Sequence, residues 1–168
     1  MEILKCQLED LETLFQMYDI AIAYQKTVFE KQWEYFDPEQ VTREIEAGLH
    51  WKVIIDQKLA AVFLISEADE QLWKEKAIEP AVYLHRIVTH PDFRGRGLMQ
   101  VIVDWANDYC NTHAKPWIRI DTWGDNQRLI DYYSRFGFQH IDTIDLADLT
   151  GYPVHYKGQL ALLEMEAV

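Results

Sequence analysis

Between Val82 and Gln100 an apolar strand, a short basic glycine loop and an amphipathic helix follow one another without a break, and this order restricts the fold more than any other stretch. The loop reads Asp92-Phe93-Arg94-Gly95-Arg96-Gly97-Leu98-Met99. After it, apolar side chains at Leu98, Val101, Ile102, Trp105, Ala106 and Tyr109 recur at helical spacing and predict one buried stripe. A helix opening there leaves its first N–H groups unpaired, with the positive end of its dipole behind them, beside two glycines whose backbone a ligand can approach. Arg94 and Arg96 add positive charge at the same place. The predicted guest is a phosphate or pyrophosphate.

Two nucleotide motifs are excluded by the same residues. A Walker loop ends in Gly-Lys-Ser/Thr, which is absent, and a dinucleotide fingerprint needs a third glycine where this chain has Gln100. A nucleotide-binding switch protein is disfavoured on that ground.

A second block lies downstream. Trp117 to Thr122 reads as a strand, Asp125 or Asn126 can cap a helix, and that helix is predicted to end at Phe136 with Gly137 in the position after the cap. Its ending is Tyr133-Ser134-Arg135-Phe136-Gly137-Phe138.

Together the two blocks resemble the GCN5-related N-acetyltransferases (GNAT). Arg94 and Gly97 take the first and fourth places of that family's Gln/Arg-x-x-Gly-x-Gly/Ala pyrophosphate loop, while Met99 stands where a glycine or alanine is usual. The second block resembles the family's Tyr-x-x-Leu/Phe-Gly-Phe ending, and Asn126 matches the asparagine that commonly opens that helix. The resemblance spans Ala81 to Ile144. It implies an acetyl-CoA-dependent N-acetyltransferase that transfers its acetyl group directly to a primary amine. Cofactor-binding residues would be Ile87, Val88 and Thr89 on the fourth strand, Arg94, Gly95, Arg96, Gly97, Leu98 and Met99 in the loop, and Asn126.

Such a reaction needs the carbonyl held, a proton removed from an ammonium and the leaving thiolate stabilised. Backbone groups around Ile87, Val88 and Thr89 would pair with pantetheine and polarise the carbonyl. Tyr133 matches the family tyrosine that donates to the departing sulfur, with neighbouring Tyr132 as the competing assignment. An unperturbed phenol, with a pKa of about 10, keeps its proton at neutral pH. For the base, His85 sits where the arylalkylamine N-acetyltransferases carry a histidine that acts through water. Alternation puts Tyr83, His85 and Ile87 on one strand face, where a histidine can equally serve only a hydrogen bond. Asp121, Glu34 and His155 are lesser candidates for the base or for gripping an ammonium, and His90 lies too near the loop.

Around these blocks, Glu2 to Gln7 reads as an opening strand and Leu11, Leu14, Phe15, Tyr18 and Ile22 as a helix face. Asp37-Pro38-Glu39-Gln40 supplies an N-cap, a proline at N1 and a reciprocal Gln at N3 for a helix near Pro38 to Ala47, stopped by Gly48. Between those helices the aromatic segment Val28 to Phe36 either covers the core or, as the resemblance implies, borders the acceptor pocket. Trp51 to Ile55 and Leu59 to Ile65 form a hairpin across Asp56-Gln57-Lys58. Glu67 to Glu79 is a charged surface segment with a helical turn; Phe138 to Ala147 and Gln159 to Met165 are further strands, joined by a loop holding Gly151 and Pro153.

The expected fold is α/β: a mixed, mostly antiparallel GNAT-like sheet of about six to seven strands flanked by about four helices. A splay between the fourth and fifth strands is implied by the resemblance alone. The 168 residues suit a single domain over 1–168. No apolar run nears the roughly 20 residues that span a bilayer, and the first residues lack a signal-peptide pattern, so a cytoplasmic setting without membrane contact is expected. A formal charge of −12 disfavours nucleic acid as a partner. It is compatible with cationic acceptors and equally with a solubility role. Cys6 and Cys110 read as small buried residues, and the histidine spacing predicts no metal. The acceptor is a small-molecule amine or a peptide amine, and the chain a monomer or homodimer. The alternative is a non-catalytic acyl-CoA-binding sensor or scaffold.

Overall fold

The computed structural model describes residues 1–148 and 158–168. Its elements are β1 (Glu2–Lys5), α1 (Leu11–Val28), α2 (Pro38–Glu46), β2 (His50–Ile55), β3 (Lys58–Ser66), α3 (Glu70–Trp73), β4 (Ala81–Thr89), α4 (Leu98–Thr112), β5 (Trp117–Trp123), α5 (Gln127–Ser134), β6 (Gln139–Asp145) and β7 (Gln159–Glu166). The strands make a mixed seven-stranded sheet in the order β1-β2-β3-β4-β5-β7-β6. The fold is the expected α/β class. β4 and β5 are parallel, while β1 with β2, β2 with β3, β5 with β7 and β6 with β7 are antiparallel. The parallel ladder runs only from Ala81 opposite Trp117 to Leu84 opposite Ile120, in keeping with the expected splay of these two strands. The loop expected around Gly151 and Pro153, and with it His155, falls outside the described residues.

The chain divides into two compact units, Met1–Ile65 with Arg86–Leu98 and Ser66–His85 with Met99–Val168. In the first, the β2–β3 turn is tighter than expected: Asp56 and Gln57 both take left-handed φ, 49° and 63°, the geometry of a two-residue hairpin whose twist matches its strands. Asp37 caps α2 by accepting from the Glu39 N–H at 3.1 Å. The reciprocal cap from Gln40 does not form, because its side chain donates one turn onward to Glu44 at 2.9 Å. Gly48, at φ 71°, ends that helix. Cys6, Leu14, Met17, Tyr18, Val41, Ile45, Val62 and Val88 form this unit's core, with Trp33 and Phe36 packed on it and Tyr35 left exposed.

In the second unit, Leu72, Trp73, Ala81, Tyr83, Ile144, Leu146, Leu160 and Leu162 pack together. The charged segment before β4 is thus more than surface, since α3 plants Leu72 and Trp73 in the core. Arg119 of β5 is fully buried and answered on every side. It reaches Glu164 at 3.2 Å, the Lys76 carbonyl at 2.8 Å, the Tyr83 hydroxyl at 3.0 Å and Glu79 at 3.3 Å. α4 is rotated from the expected stripe. Its buried residues are Leu98, Met99, Ile102, Val103, Ala106 and Cys110, so cover comes from the Met99–Val103–Cys110 flank. The other flank stays half-buried, and there Tyr109 donates to Glu67 at 3.0 Å and stacks on His113. α5 stops at Ser134 instead of Phe136. The chain closes with tighter bonds, Phe136 N–H to Tyr133 O and Gly137 N–H to Ser134 O, before Gly137 at φ 99°.

Candidate functional site

Beyond Thr89, His90 caps a short 3₁₀ turn, Pro91–Phe93, its Nδ1 accepting from the Asp92 N–H at 3.3 Å. His90 therefore serves the turn, and Phe93 anchors it in the interior at 7% exposure. Arg94 N–H donates to the Pro91 carbonyl at 3.2 Å and Arg96 N–H to the Phe93 carbonyl at 3.3 Å. Gly95 and Gly97 take φ of 76° and 72°, and a Cβ at either would meet no atom within 4 Å. Glycine is thus demanded by backbone conformation and not by packing. α4 opens at Leu98, directly after Gly97. The guanidinium of Arg94 lies over the Tyr24 ring at 4.1 Å and that of Arg96 over Phe93 at 4.9 Å, both side chains exposed. Side-chain-free glycine backbone, two cations and a helix start fit a pyrophosphate. Met99 turns its side chain into the interior at 4% exposure.

On β4, Val88 is buried and Ile87 and Thr89 half-buried. Arg86 has left-handed φ, 48°, an unusual state for a non-glycine residue in a strand, and it interrupts the alternation expected to carry Ile87 onto the face of Tyr83 and His85. Its side chain explains how the kink is held. Arg86 donates to Glu44 at 2.7 and 3.1 Å and lies over Phe36 at 4.3 Å. Glu44 also meets His50 Nε2 at 2.9 Å, and His50 Nδ1 faces the Tyr18 hydroxyl at 3.3 Å. Burial alone would raise the Glu44 carboxyl, but hydrogen bonds from His50 and Arg86 and the Arg86 charge outweigh it and pull the pKa down to about 2. Burial pushes the Tyr18 hydroxyl up to about 12 against the nearby Arg86. None of this chain was foreseen, since its members are scattered through sequence with no motif. An arginine inside an apolar strand was its only trace.

The second unit brings His85 and Asp121 together as the sequence could not. His85 Nδ1 lies 3.5 Å from Asp121 Oδ1, and His85 Nε2 lies 3.1 Å from Ser66 Oγ. The imidazole stacks nearly parallel to Tyr83, so these two do share a face. Asp69, at the cap of α3, belongs to the same electrostatic group. Burial first, then the Asp121 charge, push its carboxyl above the usual range, while His85 and the Leu72 N–H pull it down. Ser66 and Asp69 are additions that sequence reasoning missed.

Tyr133 is half-buried on α5, with its ring against Tyr132 at 5.3 Å and Phe138 at 6.3 Å. Burial, then Tyr132 and Asp121, push its phenol above the ordinary range. Tyr132 is 40% exposed. Asn126, and not Asp125, caps α5, accepting from the Leu129 N–H at 3.2 Å. Glu34 is exposed. Burial pushes the thiols of Cys6 and Cys110 up to about 12 and about 11, so neither is an activated nucleophile.

The model of the "Acetyltransferase (GNAT) family" matches residues 10–138. The uncharacterized N-acetyltransferase YesJ of Bacillus subtilis is 32% identical over 125 residues, which make up 72% of this chain and 67% of YesJ. Among solved structures, a GNAT-family acetyltransferase from Listeria monocytogenes superposes with a TM-score of 0.77 at 22% identity, covering 98% of this chain and 94% of that one. The structure of yncA from Salmonella typhimurium with its cofactor acetyl-CoA gives 0.70 at 13% identity, covering 100% and 94%. With the glycine loop, the tyrosine-bearing helix and the sheet all in place, this chain belongs to the GNAT acetyltransferase family.

Proposed function

We propose that this protein transfers the acetyl group of acetyl-CoA directly to a primary amine of a small molecule, with the whole of 1–168 acting as one catalytic domain. The observation that carries the reading is the glycine loop. Left-handed Gly95 and Gly97 leave the main chain bare ahead of α4, with Arg94 and Arg96 at hand. The Arg94 and Arg96 N–H groups already serve the turn. In this reading Gly95, Gly97, Leu98 and Met99 therefore offer main-chain N–H groups to the pyrophosphate, and the two arginines contribute charge. Met99 takes part through its backbone alone, which makes its departure from the family pattern tolerable.

Acetyl-CoA, once bound, supplies an activated thioester. Backbone groups of Ile87, Val88 and Thr89 orient it, Asn126 holds the opening of α5 in place, Tyr133 donates to the leaving sulfur and His85 is the base on which the acceptor's proton ends. The raised Tyr133 phenol keeps its proton across the working range, as a donor must. Direct transfer is supported by two thiols that burial has silenced. No helix among the described residues is long and apolar enough to cross a membrane, and the reading retains the cytoplasmic setting. Calorimetry with CoA and thiol release from acetyl-CoA across a panel of amines test it. Binding with amine-dependent release is expected. Absence of CoA binding by folded protein overturns the reading, and binding without turnover by any amine would favour a non-catalytic sensor.

A further inference from the structure

We propose that Ser66, His85 and Asp121 form a proton relay in which Asp121 fixes the imidazole and Ser66 Oγ, not His85 itself, receives the proton of the acceptor ammonium. This rests on the acetyltransferase reading above. His85 Nε2 is hydrogen-bonded to Ser66 Oγ at 3.1 Å, and Nδ1 faces Asp121 Oδ1 at 3.5 Å. With Nε2 held by Ser66 and Nδ1 turned toward Asp121, the imidazole meets a substrate most directly through Ser66. Of the two partners, Ser66 has a hydroxyl that can turn. In a second hydrogen bond it donates to the Ala68 carbonyl at 3.3 Å.

Those two partners give the hydroxyl two settings. With neutral His85 carrying its proton on Nδ1 toward Asp121, Nε2 is a lone pair and Ser66 donates to it. With His85 protonated on both nitrogens, Nε2–H donates to Ser66 and the hydroxyl turns to Ala68. Passing from the first setting to the second moves one proton. The ammonium gives a proton to Ser66 Oγ as Ser66 gives its own to Nε2, leaving a free amine, an intact serine and an imidazolium. The amine attacks the thioester carbon, the C–S bond breaks, and Tyr133 donates to the thiolate and recovers the second amine proton; His85 later releases the first to solvent. The side chains of His85 and Asp121 are 24% and 25% exposed, so the relay is neither sealed nor fully wet. Tyr83 stacks on the imidazole ring. In this scheme Asp121 is a positioning residue.

Nitrogen-15 NMR of His85 in the full chain reads the tautomer without any acceptor. The relay expects the Nδ1–H form in the wild type and a change to Nε2–H in Asp121→Ala. Turnover is then followed with acetyl-CoA and either spermidine or 2-phenylethylamine. Ser66→Ala should lower kcat at least about tenfold with the acetyl-CoA KM nearly unchanged, and Ser66→Thr, which restores a hydroxyl, should recover most of it. A wild-type Nε2–H tautomer, full turnover in Ser66→Ala, or an acetylated Ser66 peptide after mixing with acetyl-CoA each overturns the relay. Failure of CoA to bind overturns the acetyltransferase reading instead, and the tautomer is measured independently of it.

Discussion

On the proposed reading, single substitutions at Tyr133 and Gly97 tell most about the reaction. A phenol pushed upward by burial, Tyr132 and Asp121 keeps its proton at neutral pH. Tyr133→Phe should therefore lower kcat about 100-fold while acetyl-CoA affinity, measured by calorimetry, stays near wild type. Unchanged turnover would remove Tyr133 from the acid role. At Gly97 a side chain would find room, with no atom within 4 Å, yet φ of 72° is a state that a β-branched residue avoids. Gly97→Val should consequently cost CoA affinity by moving the loop backbone, and normal affinity in a folded variant would contradict the loop assignment. Both positions were legible because each sits in a local motif with fixed spacing. Ser66 was not, since its partner is 19 residues away and meets it only through folding.

Within the first unit, α2 and the kinked residue of β4 depend on one carboxylate. Glu44 is drawn down to about 2 from an ordinary 4.5, so its ionised form is worth more in the folded than in the unfolded chain. The contribution is complete above about pH 4.5 and fades as pH falls toward 2. Glu44→Gln strips Arg86 and His50 of their shared partner and should cost on the order of 3 kcal/mol at pH 7. Urea melts taken from pH 7 down to pH 3 check this: the gap between variant and wild type should narrow with acid. A gap independent of pH would mean that Glu44 acts through shape alone. Elements of this kind divided sharply in legibility. Helix starts at Pro38 and Leu98 and the β2–β3 turn follow from local chemistry. The buried face of α4 did not follow, because tertiary cover on the Met99–Val103–Cys110 flank overrode the stripe that periodicity alone suggested. Likewise the placement of β7 between β5 and β6 rests on long-range pairing that no local pattern records.

Taken as a whole, the chain carries a formal charge of −12 and yet, as a GNAT acetyltransferase, has to receive an anionic donor. On the proposed reading the global field repels CoA, and the neighbourhood of Arg94 and Arg96 with the start of α4 attracts it. These opposing terms respond differently to salt. Repulsion from distant carboxylates and attraction by the loop are both screened, with a Debye length of about 10 Å at 0.1 M. In the wild type the nearby attraction dominates, so CoA affinity should fall as salt rises. In Arg94→Gln combined with Arg96→Gln the loop keeps its glycines and helix start but loses both cations. Binding should then be at least about tenfold weaker, and its salt dependence should flatten or reverse as screening relieves the remaining repulsion. Calorimetric titrations of CoA at low and high ionic strength measure both slopes. Equal slopes in the two proteins would show that these arginines, parked over Tyr24 and Phe93, never reach the phosphates.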